Sequence, residues 1–108
     1  MAKEIIATTG NEIPGKKVVE VLGVVRGSTV RARNIGRDIG AGFKNLVGGE
    51  IKTYTEMTAQ ARDEAFNRMI NEAIDKDADA IIGVRFMTSM VMQGASEMLA
   101  YGTAVKLK

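Results

Sequence analysis

Four arginines, Arg26, Arg31, Arg33 and Arg37, fall within twelve positions of this chain with no acid between them. Guanidinium groups so spaced could cradle an anion or a phosphate. Alternation along a strand puts Arg31 and Arg33 on one face, and Arg37 falls in the first turn of a helix, where backbone N–H groups favour anions. Ion pairing between subunits, with an acidic helix further on, is the competing reading. A second set of groups is Met87, Met90 and Met92, with Met98 across a hairpin. These thioethers could ligate Cu(I), but adaptable apolar filling explains them more simply. Asp63 and Glu64 are adjacent and point different ways on a helix, and Asp75, Asp77 and Asp79 lack the glycine and closing Glu of a calcium loop. Tyr54 and Tyr101 have no local base. The chain contains no Cys and no His. Disulfides, zinc–thiolate sites, thiol catalysis and every His-based triad within one chain are thereby removed. No base–nucleophile pair is legible, which favours a non-enzymatic role.

Net charge is +2 but unevenly placed. From Arg26 to Lys52, Arg26, Arg31, Arg33, Arg37, Lys44 and Lys52 face only Asp38 and Glu50, a balance of +4. From Thr53 to Asp79 the balance is −4. Adjacent segments of opposite sign favour association between copies of the chain. Nucleic-acid binding is disfavoured because Phe43, Phe66 and Phe86 fall on apolar stripes rather than on a stacking surface. The 108 residues suit one domain, residues 1–108, and 45% apolar content allows a modest core. No apolar run reaches the roughly 18 to 20 residues that span a membrane. The start, MAKEIIATTGNE, does not resemble a signal peptide, so a cytoplasmic protein without membrane attachment is expected.

The elements that must position these groups follow from periodicity. A short strand is expected at Glu4 to Thr8, closed by Thr9, Gly10, Asn11 and then Pro14-Gly15. A long strand follows from Lys16 to about Ala32, with Gly23 and Gly27 as bulge or bend points. Val18, Leu22 and Val24 fall on one of its faces, and Val19, Val21 and Val25 on the other. A strand apolar on both faces needs cover on both, one side from helices and the other from a second subunit.

A short helix is expected from about Ile35 to Val47, capped by Asn34 and stopped by Gly48-Gly49. Gly36, Gly40 and Gly42 each cost about 1 kcal/mol there against Ala. Their presence implies close approach by a neighbour, so Gly36, Gly40, Gly42, Gly48 and Gly49 are read as interface packing positions. A capping box, Thr53 with Glu56, starts a long helix to about Lys76, with the stripe Met57, Ala61, Ala65, Phe66, Met69, Ile70, Ala73 and Ile74. Ala80 to Met92 alternates Ile82, Val84, Phe86, Thr88, Met90 and Met92 on one face. After a loop around Gln93, Gly94 and Ala95, the last strand, Met98 to Lys106, has a small face of Ala100, Gly102 and Ala104. The order is ββααββ, an α+β arrangement with helices on one face of a mainly antiparallel sheet.

The segment ARNIGRDIGAGFKNLVGG, then Tyr54, Ala61-Arg62, Ala78 to Val84 and the ending Tyr101-Gly102-Thr103-Ala104-Val105, resemble the YbjQ-like family along the whole chain. These are uncharacterised, mostly bacterial proteins catalogued under a heavy-metal-binding label. The resemblance implies a two-layer, dodecin-like subunit assembled into a ring-shaped homopentamer. This chain departs from the family in having Arg85, Phe86 and Met87 where relatives tend to place acids, and Glu50 where an arginine commonly follows the glycine pair. Three functions are in view. The favoured one is a non-enzymatic homo-oligomer binding a small anionic ligand, at Arg31, Arg33 and Arg37, or a partner protein. The second is the heavy-metal binder of the family label, with metal ligands and any cofactor unspecified. The third is an interface enzyme for an anionic substrate, with Asp38 as the base.

Overall fold

A computed structural model describes residues 4–32, 49–93 and 95–108, with the backbone alone for 32 and 49–55. In chain order the elements are β1 (Ile6–Ala7), β2 (Val18–Ala32), α1 (Gly49–Asp75), β3 (Ala80–Met92) and β4 (Ala95–Leu107). The strands form one four-stranded sheet in the order β1-β3-β4-β2. Among the described residues only the β1–β3 pair is parallel, with Ile6 opposite Ala80. The fold is therefore α+β with a mostly antiparallel sheet, as the alternating runs and amphipathic helix predict. The short helix expected at Ile35 to Val47 lies outside the described residues, as do Arg33, Arg37, Asp38, Gly36, Gly40, Gly42 and Gly48.

Two expectations of the helix boundary and hairpin shift. The long helix begins at Gly49, four residues before the Thr53 capping box, so Gly49 opens this helix. Glycine is tolerated at a helix start, and Glu50 in the first turn suits the positive end of the helix dipole. Ala95 belongs to β4, paired with Met92, which leaves a two-residue connection between the strands. The Pro14-Gly15 turn forms as expected, with the Lys16 N–H donating to the Ile13 carbonyl at 3.0 Å.

Two of the four register irregularities, those beside Gly23 and Gly83, set the strand faces near the core. Gly23 and Gly83 have φ of 117° and 62°, values that side chains rarely adopt, and the pairing register shifts beside each. Each bulge reverses the alternation beyond it. Ile81 and Val84 thus share the buried face under the helix, while Ile82 turns away from Val84 to join Ile13, Ala80 and Val105 in a second cluster. Likewise Leu22 packs with Val25 against the helix, and Val24 is on the opposite face, 63% exposed. The expected groupings of Ile82 with Val84, and of Leu22 with Val24, assumed unbroken alternation and are corrected by these bulges.

Gly27 is not a bulge. It keeps regular register opposite Ala100. A Cβ there would run into the Ala65 carbonyl oxygen and the Met69 backbone nitrogen and lie 2.6 Å from Arg68 Cβ. The helix rests directly on the strand at this point. Ala61, Ala65, Met69 and Ala73 recur every fourth residue and are buried on that contact, and the small face of β4, Ala100 and Ala104, lies beneath. Small residues on both layers let backbone approach backbone, so the core is thin but close-packed. The helix ends in a Schellman motif. The Ala78 N–H donates to the Ala73 carbonyl at 3.0 Å and the Asp77 N–H to Ile74 at 2.9 Å, with Asp77 left-handed at φ 60°.

Candidate functional site

Two groups of cationic residues are brought together, one on each face of the sheet. On the helix side, β2 presents Arg31 to the acidic face of α1. Arg31 Nη2 meets Glu64 Oε2 at 2.6 Å, and Arg68 Nη2 meets Glu64 Oε1 at 2.6 Å. Arg68 Nη1 also donates to the Ser28 carbonyl at 2.6 Å. One carboxylate therefore bridges two guanidinium groups, one from the sheet and one four residues along its own helix. The ion pairing anticipated between subunits occurs here within one chain. Glu64 meets Arg31 through Nη2 and offsets its charge, so an anion would have to compete with that carboxylate for the guanidinium. The three side chains are 37–56% exposed, so solvent weakens the pairing.

On the open face, pairing register places Arg26, Tyr101 and Arg85 in one row across β2, β4 and β3. Arg85 Nη1 donates to the Thr9 carbonyl at 2.9 Å and the Val84 carbonyl at 2.8 Å. It pins the loop after β1 to the sheet beside the Gly83 bulge, where Gly83 N–H reaches the Gly10 carbonyl at 2.8 Å. Neither Arg26 nor Arg85 could be tied to Tyr101 by linear spacing, because the row exists only once strands pair.

Helix side chains also occupy part of the outer edge of β2. The Arg26 N–H donates to Glu72 Oε1 at 3.2 Å, two positions from the Ser28 carbonyl held by Arg68. Glu72 and Arg68 thus satisfy backbone groups that an edge strand otherwise offers to another strand. Their roles could have been suspected from the charge of the helix, but not assigned to specific backbone atoms.

The sequence leaves few donors for a heavy metal. With no Cys or His in the chain, no group of three or more acidic side chains that could hold a metal ion occurs among the described residues. The methionines do not converge either. Register places Met90 on the helix side with Thr88 and Met98, while Met87, opposite Leu99, faces the other way. Met98 is buried and its sulfur accepts the Thr88 hydroxyl at 3.3 Å. The described residues do not fit a thioether or carboxylate heavy-metal site. Phe86, expected in the core, is 46% exposed and stacks on Phe66 of α1 at 6.2 Å between ring centroids. No helix among the described residues is long and apolar enough to cross a membrane.

One long helix on a four-stranded sheet, with no catalytic constellation legible among the described residues, defines a class by fold more than by chemistry. The chain belongs to the YbjQ-like family: the family model described as "Putative heavy-metal-binding" matches residues 5–108. It is 60% identical over 108 residues to a UPF0145 protein of Archaeoglobus fulgidus, covering 100% of both chains. It is 55% identical over 103 residues to one from Shewanella frigidimarina, covering 95% and 96%. Archaeal relatives make the bacterial expectation too narrow. A crystal structure of a protein of unknown function from the DUF74 family of Pediococcus pentosaceus has a TM-score of 0.65 at 19% identity, covering 96% and 98% of the two chains. That similarity supports the α+β fold.

Proposed function

We propose that this protein is a non-enzymatic, self-assembling homopentamer, whose ring takes a small anionic ligand or a partner protein. One observation carries the reading: the helix covers a single face of the sheet. On the other face Val24, Val30, Met87 and Val91 are all more than half exposed, from 52% to 63%. A soluble monomer rarely leaves such a row uncovered. The subunit number of five comes from the family resemblance. The Arg26–Tyr101–Arg85 row on the same face supplies positive charge for an anion there, and Arg31, Arg33 and Arg37 remain the anion-binding candidates of the sequence, with Arg31 on the helix face beside Glu64. The heavy-metal reading is disfavoured by donors that do not converge.

Native mass spectrometry of untagged protein tests this directly. The expected result is a pentamer, and mass retained at a fixed ratio per subunit or ring would identify the ligand class. A monomer would overturn the reading. Gly40→Leu is expected to reduce the pentamer to smaller species; an intact pentamer of that variant would sink the close-packing role of Gly40.

A further inference from the structure

The exposed large apolar side chains are not scattered. They are Ile6 on β1, Val19, Val21, Val24 and Val30 on β2, and Phe86, Met87, Met90, Val91 and Met92 on β3. None belongs to β4, the inner strand, or to the described part of α1. The apolar surface therefore follows the two sides of the sheet whose edges the described residues leave largely unpaired.

The β3 edge is the less protected of the two. β1 pairs only with Ala80 and Ile81, and the loop behind it reaches no further than Gly83 and Val84. Beyond that point no backbone hydrogen bond from the described residues reaches the outer edge of Phe86–Met92. This stretch, FMTSMVM, holds no charge or proline, and its one edge-blunting device is a pairing irregularity between Met90 and Met92, although natural proteins usually also place charges or proline on free edges. Met90 is 76% exposed. On the other side of the sheet, Glu72 and Arg68 occupy the β2 edge only at Arg26 and Ser28. The stretch Val21–Val25 before them is also uncharged.

We propose that copies of the chain join edge to edge, the outer edge of β3 at Phe86–Met92 in one copy adding to the outer edge of β2 in the next. The inference rests on the self-assembly reading and names the surfaces that perform it. A second copy is favoured over a foreign peptide because one chain carries both halves of the contact: two uncharged edges, flanked by apolar side chains, at opposite ends of one sheet. Two different surfaces meeting head to tail form a closed ring when the rotation between copies closes and an open filament when it does not, whereas β3 meeting its own copy would stop at a dimer. Strand addition satisfies the free backbone groups and covers Met87, Met90 and Val91 in one step.

The chain lacks cysteine, so introduced thiols report position cleanly. Ser89→Cys and Val21→Cys chains, one of them isotope-labelled, are mixed, allowed to exchange, and treated with a short bis-maleimide. The expected result is a mixed crosslinked pair, with little product from either variant alone. Crosslinking of Ser89→Cys with itself would overturn the head-to-tail contact. Absence of any crosslink in variants that remain oligomeric would overturn the edge contact and leave self-assembly standing. A monomeric wild type in native mass spectrometry would overturn both. Met90→Lys, whose side chain is exposed in the subunit, should keep the circular dichroism of the fold and weaken association about 30-fold or more, as loss of an interface hot spot does. Unchanged association would refute the role of this edge.

Discussion

Gly27→Ala probes the contact on which the fold turns. The new Cβ would lie 2.6 Å from Arg68 Cβ, and its other neighbours are the backbone of Ala65 and Met69. Carbon atoms in good contact are about 3.5–4.0 Å apart, so the helix must retreat by about 1 Å. No side-chain rotation relieves a collision with helix backbone. Retreat also loosens Ala61, Ala65, Met69 and Ala73, all buried against the sheet. Overpacking of this kind costs about 1–3 kcal/mol, and the loosened layer adds to it. Alanine is otherwise favoured over glycine in a strand by roughly 0.5–1 kcal/mol, which offsets part of the cost. The net expectation is a loss of about 2 kcal/mol, or a fall in Tm of roughly 10 °C for a chain of this size. The assay is urea unfolding followed by circular dichroism at two protein concentrations, since the proposed self-assembly would make the midpoint concentration-dependent. Gly10→Ala is the control, because its nearest contact would be an ordinary 3.6 Å to Thr8 Oγ1. Stability of Gly27→Ala within about 0.5 kcal/mol of wild type would refute the direct helix–strand contact.

Thr29 is 3% exposed, and its hydroxyl has no hydrogen-bond partner among the described residues. Thr29→Val keeps the shape and removes a buried polar group, and should raise stability by about 1 kcal/mol in the same assay. A loss would show that the hydroxyl has a partner. A double-mutant cycle on Arg31→Ala and Glu64→Gln should give a coupling of about 0.2–1 kcal/mol that shrinks in high salt, because both groups are more than a third exposed. Salt-independent coupling above about 2 kcal/mol would mean the pair is shielded from water, and would point to burial in the assembly.

Much of this architecture is written in local pattern. The Met57-to-Ile74 stripe has the period of a helix, and its Ala61, Ala65, Met69 and Ala73 row is the one that is buried. The Ala80-to-Met92 strand has the expected bounds, because its turn-forming neighbours and apolar run leave no alternative. The Arg31 region was legible as charged, and pairing with the acidic helix was anticipated, though between subunits. What could not be read was the partner: Glu64 lies 33 positions from Arg31, and nothing in local sequence selects it over Asp63 or Glu72.

The sequence by itself determined the strand and helix types, the absence of Cys and His chemistry, and membership of a family whose motifs run through the whole chain. Those properties depend on residue type and short-range period, which a linear chain displays. Only the tertiary structure decided which face each side chain occupies beyond Gly23 and Gly83, since one extra residue in a strand inverts every position after it. It also decided that Gly27 serves a helix and not a bend. That distinction depends on what lies above the strand, namely Ala65 and Met69, far away in the chain. Strand order, finally, placed β2 at one side of the sheet and β3, beyond its short pairing with β1, towards the other, and so exposed their apolar side chains.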